Sequence, residues 1–556
     1  MKKSQRATLA VAIVAVVLIA VLSSSGKDEG SATSTPAQAP AGSVRVLFAY
    51  SPEKEKLLTP LIDRFNATEP EVDGKRIFVA GQNISSGDAE SKIARGTFKP
   101  VAWSPASSLW GRLLNFESDA PYAAATNPSI VRTPLVLAMW EPMARALGYP
   151  KRKLGFVDIL KLARSNKGWR DYGLAQYGKF KLVHTNPDFS TSGLSAVVAE
   201  YYAATGKREG LRSADLVRAR SQVKAIERSI VHYGDTTLFM ADQLRRRGPG
   251  YASAVAMEEV TLVDFNQRRG KREKLVAIYP SEGTFYSDNP FITLDAPWVS
   301  AQQRKGAESF QKYLSQNVDA AAAARNGFRP ADLGLRPVAP LDASNGVDAS
   351  QPRRVLELPQ PRVLAAVKKA WREDRKPANV LLVLDTSGSM GDEQRLENAK
   401  SGLRMFLREV APQDRVGLLT FNDEVEPLAP VGSSRARLGG LISSLIADGE
   451  TAIYDATDTA VKQVKQHADE SRINAVVLLT DGADTSSSKS IGAVVRALDA
   501  QGESNARVRV FTIAYSAGAA GAAANLRRIA DASGGKAYTG TTDDIETVYR
   551  SISSFF

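Results

Sequence analysis

The sequence predicts an α/β protein of two globular units behind an amino-terminal apolar anchor. Three observations carry that expectation. Near-continuous apolar runs of strand length recur between stretches of helical spacing, the pattern of strands buried on both faces of a mainly parallel sheet. A break rich in Pro, Asn, Asp and Gly, "PVAPLDASNGVDASQPRR" (337–354), divides that pattern in two. The 556 residues also exceed what one hydrophobic core organises.

The amino terminus reads "MKKSQRATLAVAIVAVVLIAVLSSSGKDEG". Lys2, Lys3 and Arg6 precede an uncharged apolar run from Ala7 to Leu22, and Lys27, Asp28 and Glu29 follow it. The charge bias holds the amino end in the cytoplasm and exports the rest. The run is apolar all round, so it does not read as the helix of a soluble domain. With no A-x-A cleavage site after it, residues 1–25 are expected to be an uncleaved single-pass anchor rather than a cleaved signal, and 26–43 a flexible tether. The bulk of the chain is then extracytoplasmic.

Composition excludes several chemistries. The absence of cysteine removes disulfides, thiolate metal sites, a cysteine nucleophile and a lipidated cysteine. His184, His232 and His467 lie far apart in sequence, a poor start for histidine-based zinc or triad chemistry. The net charge of +12 does not imply nucleic acid in an exported chain; solvated basic helices account for it.

The first unit, 44–335, opens with the strand "VRVLFAYS", and Ser51 and Pro52 then start a helix in "PEKEKLLTPLIDRFNAT". Strand and helix signals alternate through "RIFVAG", "DAESKIARG", "VAWSPAS" and "SIVRTPLVLAM". The last of these passes into a new run of helices, and "VAIYPSEGTFYSDNPFITLDAP" returns late, before the helix "QQRKGAESFQKYLSQ". That order predicts two lobes. Residues 336–376 are a linker and a connecting helix, in which Val363, Leu364, Val367 and Trp371 share one face.

The second unit, 377–556, contains the strands "NVLLVLD", "RVGLLTF", "NAVVLLTD" and "VRVFTIAYS". The helices "EQRLENAKSGLRMFLREV", "AIYDATDTAVKQVKQHADE" and "IGAVVRALDAQ" lie between them, giving a doubly wound sheet. Such sheets bind ligands beyond the carboxyl ends of their strands. Asp385, Ser387 and Ser389 follow the first strand, Asp481 ends another, and Thr451 precedes a helix in "GETAIYDA". Any one of these is an ordinary cap or turn residue. Together they form an all-oxygen set suited to Mg²⁺ or Mn²⁺, with water or a partner completing the shell.

"DTSGSM" (385–390) resembles the D-x-S-x-S motif of the metal-ion-dependent adhesion site of von Willebrand factor A domains, and Thr451 and Asp481 match the family's remaining positions in order and context. The resemblance implies a Rossmann-like fold over 377–556, with Ser387 and Ser389 bonded directly to the metal. Asp385, Thr451 and Asp481 would contribute directly or through water. The vacant metal position would capture an acidic side chain of a protein partner.

The first unit resembles bacterial extracellular solute-binding proteins of the two-lobed, type II periplasmic kind, through "AYSP", "ISSGDAESKIARG", "WSPAS", "HTNPDFSTSG" and "NGFRPAD". Projected onto this chain, the cleft would be lined by Ser51, Ser85, Ser86, Trp103, Ser104, Ser190, Thr191, Ser192, Gly193, Ser281, Gly283 and Thr284. Glu53, Glu55, Asp88 and Glu90 stand in the first turns of the relevant helices and oppose an oxyanion through the helix dipole. The solute therefore stays open. The tandem order resembles the substrate-binding and VWA domain-containing proteins of bacteria.

Two functions follow. One is a membrane-anchored adhesion or scaffold protein whose first unit is a solute sensor or a spacer. The other is the solute receptor of an ABC-type transport system, docked through its second unit. An enzyme is not expected, because no motif places a base beside a nucleophile.

Overall fold

A computed structural model describes residues 37–504, 506–515, 519, 521–542 and 544–556. The anchor read over 1–25 and the first part of the tether lie outside the described residues. Among the described residues no helix is long and apolar enough to cross a membrane.

The first unit has two sheets. In the first sheet, Val44–Tyr50 pairs in parallel with Lys75–Asn83 on one side and Ala102–Ser104 on the other. The edge strand Ile292–Thr293 joins antiparallel to Ala102–Ser104, although it comes from far along the chain. Phe48 explains why the chain returns there: its ring lies 5.1 Å from that of Phe291 and 5.4 Å from that of Phe310, in the helix Ala301–Asn317. The second sheet is organised by Val131–Trp140, buried along nearly its whole length, which pairs with Ala254–Glu258, Leu275–Ile278, Tyr286–Ser287 and Arg329–Pro330. The chain thus leaves the first lobe, builds the second and returns, as the order of signals predicts.

Residues 336–360 do not hang free between the units. Leu341, Val347 and Leu356 are buried, and Thr284 exchanges backbone hydrogen bonds with Arg354 and Leu356. The helix Pro361–Asp374 then buries Val363, Leu364, Val367 and Trp371, the face its spacing marks out.

The second unit is one six-stranded sheet in the order Val425–Ala429, Arg415–Phe421, Ala378–Asp385, Ile473–Thr480, Val508–Tyr515, Ala537–Gly540. All pairs are parallel except the antiparallel edge strand Val425–Ala429. Side chains alternate between two cores. Leu381 and Val383 pack with Ile453, Ala456, Val464, Val494 and Leu526 from helices on one face. Val380, Leu382 and Leu384 join Leu403, Phe406, Tyr549 and Ile552 on the other, in a core continuous with that of the first unit. Because the chain runs outward in opposite directions from the central pair, the carboxyl ends of Ala378–Asp385 and Ile473–Thr480 flank the crevice where a doubly wound sheet takes its ligand.

Candidate functional site

Asp385 ends its strand fully buried. Its Oδ1 accepts from the Ser387 amide at 2.8 Å and its Oδ2 from Thr480 Oγ1 at 2.5 Å, so the carboxylate fixes both flanking loops. Burial pushes this carboxyl up to about 6 despite those donors. Ser387 Oγ stands 3.3 Å from Ser389 Oγ, and Ser389 Oγ donates to Asp481 Oδ1 at 2.8 Å. Thr451 arrives on a separate loop that is held in place when Gly388 N donates to Gly449 O at 2.9 Å. Gly449 has φ +82°, and a Cβ there would stand 2.2 Å from Asp423 Oδ1, so this turn requires glycine. Thr451 Oγ1 and Ser389 Oγ lie 3.8 and 3.9 Å from where a Cβ on Gly482 would be, which puts both hydroxyls on one concavity.

The five oxygen-bearing residues read from the sequence therefore meet at one edge, with Ser389 exposed and Asp385, Ser387, Thr451 and Asp481 buried around it. The donor set fits a hard divalent cation. One residue the sequence reading missed completes the electrostatics. Glu393 and Gln394 adopt left-handed backbone at φ 50° and 57°, turning the chain so that Arg395 opens the helix Arg395–Glu409. Its guanidinium donates to Asp481 Oδ2 at 2.8 Å. No motif marks such a residue, because its role depends on that turn.

In the first unit, Ser51, Ser85, Ser86, Ser190 and Thr191 do meet between the lobes, around a cavity of about 20 Å³. That is room for about one water. Its remaining lining includes Glu53, Asp235, Thr236, Thr237 and Glu258. Ser51 donates to Glu53, Ser86 Oγ accepts from Ala106 N at 3.0 Å, and Thr191 Oγ1 accepts from Trp110 Nε1 at 2.7 Å. Burial, then the nearby Glu53 charge, pushes Glu258 up to about 8. Lys54 is fully buried, donating to Pro105 O at 3.0 Å and Asn289 Oδ1 at 2.9 Å, and burial lowers it to about 8.

The other expected cleft residues sit elsewhere. Trp103 and Ser104 are buried inside the first sheet. Ser192 bonds to Thr185 Oγ1 at 2.8 Å, and Gly193 is the close approach of its helix to Thr185, whose carbonyl oxygen would be 2.0 Å from a Cβ. Ser281, Gly283 and Thr284 belong to the second lobe's outer turn: Thr284 Oγ1 donates to Leu135 O at 2.7 Å, and Ser281 faces a separate pocket with Tyr149 and Arg354. The solute-binding resemblance projects these residues onto the cleft, and the fold carries them into other contacts. The sequence reading passed over Asp235, Thr236 and Thr237, although "GDTT" before a helix is a comparable signal.

Comparison with known proteins agrees with this division. The profile described as von Willebrand factor type A domain matches residues 380–483, a span containing all five of these oxygen-bearing residues. The uncharacterized protein YfbK of Escherichia coli (strain K12) is 30% identical over 122 residues, 22% of this chain and 21% of that protein. The uncharacterized protein Rv1836c of Mycobacterium tuberculosis (strain ATCC 25618 / H37Rv) is 22% identical over 410 residues, 70% of this chain and 58% of its own length. The matched stretches thus cover from about a fifth to under two thirds of these relatives. A solved periplasmic thiamin binding protein is 11% identical with a TM-score of 0.44, over 61% of this chain and 99% of that one. The profile described as bacterial extracellular solute-binding protein matches residues 46–329, just over half of the chain. The chain belongs to the bacterial extracellular solute-binding protein family and carries a von Willebrand factor type A domain behind its two-lobed unit.

Proposed function

We propose that this chain is an extracytoplasmic binding protein, anchored in the cytoplasmic membrane by its amino-terminal run. Its von Willebrand factor A domain uses Mg²⁺ or Mn²⁺ to hold an acidic side chain of a protein partner. The observation that carries the reading is the convergence of Asp385, Ser387, Ser389, Thr451 and Asp481 at the carboxyl edge of the sheet, with Ser389 open to solvent. When bound, a divalent ion supplies the positive charge that draws a carboxylate. Ser387, Ser389 and Thr451 offer neutral oxygens to it; the two carboxylates alone would balance a divalent charge, so the ion keeps net positive character through the Arg395 guanidinium on Asp481. Asp385 ties the turn that carries Ser387 and Ser389 to the strand end at Thr480, and Arg395 offsets one of the two negative charges. We read the role as binding rather than catalysis, because these hydroxyls and carboxylates form an all-oxygen set suited to a cation.

The solute-binding unit acts as a sensor or spacer. Its cavity has room for about one water, and the Glu53 carboxylate on its wall opposes an oxyanion, which weighs against an anion receptor for transport. The test is co-purification of the full chain from membranes with Mg²⁺ or with EDTA, alongside Thr451→Ala. A partner lost on chelation, and weakened by Thr451→Ala more than Mg²⁺ binding is, supports the reading. Partner binding that survives EDTA rejects it.

A further inference from the structure

Away from both sites, three ionisable side chains converge inside the second lobe. His184 ends the strand Leu182–His184, Glu200 lies within the helix Thr191–Thr205, and Glu227 closes the helix Ser213–Glu227. One ligand atom from each lies within 4.8 Å of the others, and all three residues are at most 1% exposed.

The His184–Glu227 contact is an ion pair when the ring is protonated and an acceptor facing an acceptor when the ring is neutral. His184 Nδ1 lies 2.7 Å from Thr185 O, and a carbonyl only accepts, so a neutral ring carries its proton on Nδ1 and turns a lone pair outward at Nε2. That lone pair stands 2.9 Å from Glu227 Oε1. Glu227 Oε2 is occupied from the other side, accepting from Tyr233 Oη at 2.7 Å and Trp371 Nε1 at 3.0 Å. Both carboxylate oxygens of Glu200 are buried with no hydrogen-bond partner. Among the described residues no lysine or arginine forms an ion pair with Glu200 or Glu227. A neutral imidazole and two carboxylates would leave two negative charges in the interior, which a protein does not sustain uncompensated.

We propose that His184 Nε2 and one carboxylate oxygen each from Glu200 and Glu227 form a buried site for a divalent transition-metal ion of zinc's class. The imidazole distinguishes it from the all-oxygen site at the sheet edge and favours zinc over magnesium. The surroundings match what orients metal ligands: a carbonyl on the far ring nitrogen of the histidine, and donors on the second oxygen of a carboxylate. The position gives the ion a task. Trp371 comes from the connecting helix Pro361–Asp374, and Tyr233 Oη accepts from the Lys376 amide at 3.1 Å. An ion here fastens the second lobe to the helix that leads into the von Willebrand factor A domain. With its ligands sealed from solvent, it is captured as the chain folds and released only on unfolding.

The test uses the full chain carrying Asp385→Ala, which silences the sheet-edge site. The protein is unfolded with EDTA, refolded with or without Zn²⁺ as the sole metal, and dialysed against EDTA once folded. One zinc per chain should survive dialysis, melting should rise by several degrees over the metal-free preparation, and adding Glu200→Gln should remove both effects. The zinc-edge X-ray absorption spectrum should show only nitrogen and oxygen neighbours, one of them imidazole. No retained zinc overturns the proposal, and so does equal retention by the Glu200→Gln chain; the pocket is then held neutral by protons. Should Glu200→Gln fail to fold, the spectrum of its parent decides, and a shell without imidazole rejects the site.

Discussion

Arg395 lies with its Nη1 2.8 Å from Asp481 Oδ2, so a fixed cation shares a carboxylate with the expected metal position. Arg395 is also held by Glu393 and is only 14% exposed, so water screens the pair incompletely. Two unit charges at such separations interact by a few kcal/mol at an effective dielectric of about 20, and partial exposure reduces this. Arg395→Ala should therefore tighten Mg²⁺ binding on the order of tenfold, about 1.4 kcal/mol. Titration calorimetry on the full chain measures it. Unchanged or weaker affinity would show that the guanidinium does not oppose the ion.

Asp385→Ala tests the other carboxylate. Removing it leaves the Ser387 amide without its acceptor and the Thr480 hydroxyl with only Gly482 O at 3.3 Å, a loss of roughly 1–3 kcal/mol for a buried group left unsatisfied. It also removes a carboxyl that burial already disfavours in its charged form, so the net destabilisation should be smaller, about 2 kcal/mol. The chain should stay folded by circular dichroism and lose Mg²⁺ binding at least tenfold. Full-length protein is needed, because one core of the sheet is continuous with the first unit.

What the sequence disclosed follows from what each residue had to satisfy locally. The strand Ala378–Asp385 is legible because both of its faces are buried, which makes every position apolar up to the functional aspartate. The edge strand Val425–Ala429 is not, since Glu426 and Pro427 are exposed and leave no period to read. The oxygens of the candidate site were legible because Asp385, Ser387, Ser389 and Asp481 sit at or just after strand ends, and Thr451 just before a helix. Arg395 was not, because two left-handed residues aim it. The cluster of His184, Glu200 and Glu227 is invisible for a related reason: a strand and two helices bring together residues that share no spacing.

Glu258 should make stability depend on pH. Burial, then Glu53, raises its folded-state value to about 8, whereas an unfolded glutamate titrates near 4.3. The folded chain binds the extra proton between those limits, so stability falls as pH rises from about 4.3 toward 8. Glu90, which burial also pushes up to about 8, acts in the same direction, so Glu258→Gln should flatten the decline only in part. Melting temperatures at pH 5 and pH 8 check this. A slope identical to that of the parent chain would mean that Glu258 does not carry the proton.

The cleft and the von Willebrand factor A domain meet at Lys536 and Asp235. Lys536 Nζ lies 2.6 Å from Asp235 Oδ2, with the two side chains 12% and 2% exposed, and it also sits 5.1 Å from the Tyr538 ring centroid. Asp235 lines the cavity between the lobes, so a residue of the second domain neutralises a wall of the first domain's cleft. Removing one partner of a buried pair strands the other's charge, and Asp235→Ala should destabilise the chain by about 3 kcal/mol. Lys536→Met alone would leave Asp235 unpaired beside Glu53 and Glu258 and should be damaging too. Combined, the two substitutions remove both charges, so the double variant should be less destabilised than the sum of the singles by 1 kcal/mol or more in denaturant melts, as coupled neighbours are. Strict additivity would mean that the contact is incidental and that the cleft is electrostatically independent of the von Willebrand factor A domain.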